Sequence, residues 1–210
     1  VAALVGVRPL LPAGTLRGRP GLPSAIGLRG VMGGTFFASE AYLPYLLQEQ
    51  YGAATWVSGL VLTAATFGWA GASHLQGRLG QERLPDEAAL HTGAGLLVLG
   101  VGSILATAAL DLPGALVGLG WLVAAMGMGL IYPRVTSVVL ARTEAHERGS
   151  ATSAIAISDS VGAALAVAVA GLVFTTVGTA ADRGPFVAVL TLTTAFGALA
   201  VPLSRRVGGG

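Results

Sequence analysis

The sequence predicts an all-α integral membrane protein of six transmembrane helices with both termini in the cytoplasm. Composition predicts the class: 53% of the 210 residues are hydrophobic, 10% are charged, and the mean hydropathy is +0.74, whereas a soluble domain carries about 25% charged residues. So few charges cannot cover a globule of this size with polar surface, and lipid is the natural exterior. The spacing of the apolar runs predicts the span count, since a hydrocarbon core of roughly 30 Å takes about 20 helical residues to cross. The placement of arginine predicts the orientation.

Residues 1–24, VAALVGVRPLLPAGTLRGRPGLPS, mix prolines and arginines with no helical period. They read as a cytoplasmic linker, whose opening VAALVGV resembles the end of a preceding membrane helix. Charges and Pro/Gly clusters then cut the chain into spans at 25–47, 55–77, 88–110, 113–133, 150–177 and 184–204, within a bundle ending near 206 and followed by a tail at 207–210. The first and fifth spans are long, which predicts tilt or extension beyond the bilayer. Arg8, Arg17, Arg19 and Arg29 precede or begin the first span, Arg78 and Arg83 follow the second, Arg134, Arg142 and Arg148 separate the fourth from the fifth, and Arg205 and Arg206 close the sixth. If the spans alternate, all of these fall on one side and Arg183 alone on the other, which makes the arginine-rich side cytoplasmic.

The chain has no Cys, Lys or Asn. That excludes disulfides, thiolate nucleophiles, a phosphate-loop lysine, Schiff-base chemistry and N-glycosylation. All twelve basic residues are arginines, which together with the Ala, Gly, Leu and Val content fits GC-rich bacterial coding and a bacterial inner (plasma) membrane. The basic pI belongs to loops, and no nucleic-acid partner is expected. His74, His91 and His146 are too scattered for a metal centre; no cofactor is expected, and no nucleophile and base stand together as an enzyme would need.

Ionisable groups inside a span are costly, roughly 2.5–3.5 kcal/mol at the centre, and usually face a cavity or a partner. Two acids sit well inside: Glu40, in FFASEAYLPY toward the outer part of the first span, and Asp159, in SAIAISDSVGAALAVAVAG in the cytoplasmic half of the fifth. The third and sixth spans carry no charge in their apolar runs, so helices one and five are expected to line something polar while three and six face lipid. Glu40 is a candidate proton carrier or cation-binding carboxylate; the competing reading is a protonated packing residue bonded to Ser39, Tyr42 or a neighbouring helix. Asp159 stands between the same readings, because its helix face, with Gly162, Ala163 and Ala166, suits close packing. Tyr42 and Trp69 are candidates for substrate contact. Pro44 in the first span, and Gly127, Gly129 and Pro133 in the fourth, weaken the backbone where bending can accompany gating.

FFASEAYLPYLLQEQYG is similar to the seventh helix of drug-efflux members of the major facilitator superfamily of the actinobacterial type. FGWAGASHLQGRLGQERL resembles their eighth helix and its loop, and ERGSATSAIAISDSVGAALAVAVAGLVF their eleventh. The resemblance spans residues 9–206 and implies the C-terminal six-helix half of that fold, built from two inverted three-helix repeats, with helices one, two, four and five facing a central cavity. It further implies export of drug-like molecules or small metabolites coupled to protons by alternating access, with Glu40, Asp159, Tyr42 and Trp69 at the proton or substrate site. A gating loop would involve Gly77, Arg78 and Arg83, with Pro133 and Arg134 nearby; Gln81 stands where that loop expects Asp. Partners would be a small-molecule substrate, protons, the lipid bilayer, and an N-terminal half or a second copy. Val1 and the apolar stub at 1–7 point to a fragment. The rival reading is a non-transporting six-helix scaffold or interaction protein.

Overall fold

A computed structural model describes residues 11–208, which contain no strand. The first ten residues of the expected linker and the last two of the tail lie outside that range. The helices are α1 (Leu22–Tyr45), α2 (Thr55–Arg83), α3 (Asp86–Ala109), α4 (Ala115–Ala141), α5 (Arg148–Val177), α6 (Arg183–Ala198) and the short α7 (Ala200–Arg206). A π-helical turn, Leu46–Gln50, continues α1.

Local chemistry sets several of the boundaries. Gly21 enters α1 at φ 88°, a conformation that favours glycine, and Pro23 follows in the first turn, where its missing N–H leaves no helical bond unmade. Gly80, at φ 64°, kinks the end of α2 toward α3. Asp86 and Glu87 occupy the first turn of α3, where acids favour the positive end of the helix dipole. Pro202 cannot donate to the carbonyl of Ala198, where α6 gives way to α7.

Four stretches are long and apolar enough to cross a membrane: Asp86–Ala109, Ala115–Ala141, Ala145–Val177 and Arg183–Arg206. The first two of the six expected spans, carried by α1 and α2, are not among them. Each is diluted by polar side chains: Arg29, Thr35, Ser39 and Glu40 in α1, and Thr63, Thr66, Ser73, His74 and Gln76 in α2. In α1 several of these are satisfied inside the protein, whereas Thr63, Thr66 and His74 of α2 are exposed. Thr35 and Ser39, for example, are buried and bond back to the carbonyls of Val31 and Thr35.

The helices pack in two intertwined sets. α2 and α3 both lie against α4, while α5 and α6 lie against α1, and α1–α4 and α3–α6 contacts join the sets. The first helix of each consecutive trio, α1 or α4, thus packs on the second helix of the other trio, α5 or α2. Trp121, Met128 and Ile131 of α4, Leu97 and Ile104 of α3, Met32 of α1 and Phe186 of α6 are fully buried between them. The α1–α5 crossing is backbone on backbone, because a Cβ on Gly162 would run into the carbonyl and Cα of Gly30. α2 and α5 present their other faces outward, with Trp56, Leu60, Phe67 and Leu172 exposed.

The connecting segments gather at two ends. At the arginine-rich end, Gly21 N–H donates to the Arg206 carbonyl at 2.9 Å and Arg206 Nη1 to the Gly18 carbonyl at 3.2 Å, seating residues 18–21 against α7. At the other end Arg183 pairs with Asp111 at 2.5 Å, Tyr51 Oη donates to the Thr107 carbonyl at 3.1 Å, and Gln50 Nε2 donates to the Ala180 carbonyl at 2.9 Å. Burial pushes the Tyr51 phenol above its ordinary range, with the Arg183 charge acting in the opposite direction.

Candidate functional site

Asp159 is part of a three-residue polar cluster where α1, α4 and α5 meet. Tyr132 Oη donates to Asp159 Oδ1 at 2.6 Å, and Arg29 Nε lies 3.6 Å from Asp159 Oδ2. The Arg29 guanidinium lies over the Tyr132 ring, its Cζ 3.5 Å from the centroid, a cation–π geometry. Arg29 Nη1 also donates to the Tyr132 carbonyl at 3.1 Å and to Thr136 Oγ1 at 3.4 Å. Gly33, one turn after Arg29, makes room for this cluster, since a Cβ there would collide with the Asp159 carboxylate and crowd the Tyr132 hydroxyl. Arg29 therefore belongs to the interior of α1 and not only to the flanking charges that orient the chain. Breaking the pair would leave a cation or an anion in a largely closed site.

Glu40 occupies a different place. Eleven residues beyond Arg29 on α1, it stands about 16 Å further along the helix axis. It lines a 220 Å³ cavity with Phe36, Phe37, Leu62, Ala65, Thr66, Trp69 and Trp121. Phe36 and Phe37 precede it by four and three residues, so they share its helix face. Phe36 stacks on Trp121 at 4.3 Å between centroids and meets Trp69 edge-on at 5.4 Å. The ion pairs among the described residues are Arg29–Asp159, Arg134–Asp86, His146–Glu144 and Arg183–Asp111; none involves Glu40. Pro44 has no N–H to donate to the Glu40 carbonyl, so this residue offers backbone as well as side-chain oxygen without a full set of helical partners. A half-buried carboxylate beside the partly exposed rings of Phe37 and Trp69, with the buried Phe36 and Trp121 packed around them, is suited to an organic cation.

Trp69 links the two places, because its ring also meets Tyr132 edge-on at 4.9 Å. Tyr42 does not join them. Its ring lies 4.9 Å from Phe174 of α5, beside Ala38 and Ala170, on the α1–α5 seam.

The expected loop residues separate in a similar way. Gly77, Arg78 and Arg83 are exposed on α2, and a Cβ on Gly77 would meet nothing within 4 Å. Arg134 is buried inside α4, which runs past the expected end at Pro133 as far as Ala141. Its Nη1 pairs with Asp86 Oδ1 and its Nε with Gln76 Oε1, both at 3.0 Å. Gln81, at the position where the resemblance expects an acid, donates to Asp86 Oδ2 at 3.0 Å. Asp86 thus supplies a carboxylate to this cluster from the start of α3. Pro133 is tolerated within α4 because the Gly129 carbonyl it leaves without a helical donor receives Ser73 Oγ at 2.9 Å and Gln76 Nε2 at 3.3 Å from α2.

These polar groups lie between helices, in a chain with four stretches apolar enough to cross a membrane. A comparison with curated proteins finds no match. The family model of the Major Facilitator Superfamily matches residues 5–167, more than half of the chain and a stretch that contains Arg29, Glu40, Trp69, Tyr132 and Asp159. The chain belongs to the major facilitator superfamily, the multi-pass membrane transporters of small molecules.

Proposed function

We propose that this chain is the C-terminal six-helix half of a proton-coupled exporter of drug-like or small metabolite molecules in a bacterial inner membrane, with both ends cytoplasmic and α1 and α2 crossing beside the four more apolar spans. The observation that carries this reading is the Glu40 carboxylate, which has no ion-pair partner among the described residues and lines the cavity with Phe36, Phe37, Trp69 and Trp121. The aromatic faces attract the charge and apolar body of an organic cation, and the carboxylate neutralises it. A proton taken up by Glu40 removes that attraction, so proton entry and substrate release are coupled at one group.

The Arg29–Tyr132–Asp159 cluster is the second element, connected to the first through Trp69. A change at Glu40 that moves Trp69 bears directly on Tyr132, and through its hydroxyl on Asp159. Rocking of two six-helix halves would then expose the Glu40 cavity to one side of the membrane at a time, with an N-terminal half, or a second copy, as the other wall.

The test is pH-gradient-driven efflux of a lipophilic cationic dye from cells producing the transporter. Glu40→Gln is expected to lower efflux at least tenfold, equivalent to about 1.4 kcal/mol or more, and to abolish its dependence on the gradient, with Glu40→Asp retaining part of both. Unchanged efflux with unchanged pH dependence in E40Q would remove the role assigned to Glu40 and favour a packing residue in a scaffold.

A further inference from the structure

A second hollow lies on the outside of the bundle, away from Glu40. It is a groove of about 570 Å³ between α5 and α6 with α1 as its floor, walled by Val161, Leu165, Val169, Phe196 and Leu203. It begins near Leu192 and ends at Arg17 and Arg206, and among the described residues no acidic side chain lines it. From Leu192 to Arg206 the helical rise amounts to about 21 Å. That exceeds the roughly 15 Å of one leaflet in a ~30 Å hydrocarbon core. The groove walls are apolar along this length, as a hydrocarbon chain requires. Arg206 donates to the carbonyl of Gly18, the residue after Arg17, and both arginines line the groove with their side chains exposed.

We propose that this groove binds an anionic phospholipid, with an acyl chain between α5 and α6 and the phosphate on Arg17 and Arg206. An apolar slot that ends in two guanidiniums and contains no carboxylate matches an anionic amphiphile in both of its parts. A zwitterionic lipid would fill the slot equally but would set its own cation beside the arginines. The site is separate from Glu40, so it stands or falls independently of the transport reading.

The test is retention of phosphatidylglycerol against phosphatidylcholine by the purified chain in mixed-lipid nanodiscs, read by native mass spectrometry after transfer to detergent. Preferential retention of phosphatidylglycerol is expected, with a loss of about fivefold in affinity for each of Arg17→Gln and Arg206→Gln. Leu165→Trp, which obstructs the slot and spares both arginines, is expected to release the lipid, while inorganic phosphate alone does not displace it. Circular dichroism showing unchanged helicity confirms that the variants remain folded. Equal retention of the two lipids, retention that survives R17Q/R206Q, or displacement by inorganic phosphate would overturn the proposal. So would a disulfide-linked dimer of Leu165→Cys, which would show a second copy seated on the groove.

Discussion

Gly162→Ala is expected to destabilise the bundle by about 3 kcal/mol, the upper part of the usual range for overpacking. The added methyl would meet the backbone of Gly30, which cannot turn aside as a side chain can. Relief therefore requires α1 and α5 to separate along their length. Separation would also disturb the bond from Ser158 Oγ to the Ile26 carbonyl, at 2.7 Å, and the approach of Asp159 to Arg29. Gly77→Ala provides the contrast, since nothing lies within 4 Å of its Cβ position. There the better helix propensity of alanine should be neutral or stabilising by up to about 1 kcal/mol. Thermal unfolding in detergent, followed by circular dichroism, measures both; equal midpoints for the two variants would refute the backbone-contact account of the α1–α5 seam.

Asp159→Asn is expected to be nearly as damaging, for an electrostatic reason. Asparagine can still accept from Tyr132 Oη, but it leaves Arg29 facing no anion. Removing one partner of a fully buried pair costs about 3–5 kcal/mol. Arg29 and Asp159 are 14% and 22% exposed, so roughly 2 kcal/mol is the better expectation once residual water contact is counted. Arg29→Gln combined with Asp159→Asn should recover most of the loss, because the double variant leaves no unpaired charge. A double-mutant cycle on unfolding free energy measures the coupling directly. Additive losses would mean that the two side chains do not sense each other.

The membrane class and most helix positions follow from quantities that depend on neighbours in sequence: apolar run length, Pro/Gly interruption and the side on which arginines fall. Glu40 and Asp159 are visible for the same reason, as charges inside oily runs. The grouping around Glu40 is also local in part. Phe36 and Phe37 share its face by helical spacing, whereas Tyr42, two residues on, is turned about 200° away, and that geometry assigns it to the α5 seam.

What the sequence hides is pairing between distant elements. Arg29 and Arg134 each read as loop or boundary charges, since each stands near the start or end of an apolar run. Arg29 meets residues more than a hundred positions away, at Tyr132 and Thr136, and Arg134 meets Asp86. The fourth span is expected to end at Pro133, yet the helix continues to Ala141 because Ser73 and Gln76 on another helix satisfy the Gly129 carbonyl. One signal was available: Arg29 and Asp159 are opposite charges placed near the arginine-rich ends of two different spans, which is the arrangement an interhelical pair requires.

The most direct measurement of the central claim is the binding of a lipophilic organic cation to the purified chain, read as quenching of Trp69 and Trp121 in a Trp56→Phe background. Trp69 and Trp121 line the Glu40 cavity, whereas Trp56 is 68% exposed. Glu40→Gln is expected to weaken the cation at least tenfold, about 1.4 kcal/mol, and to leave a neutral analogue of the same shape unaffected. Equal affinity of the cation for the chain with Glu40 intact and for the Glu40→Gln variant would contradict the claim.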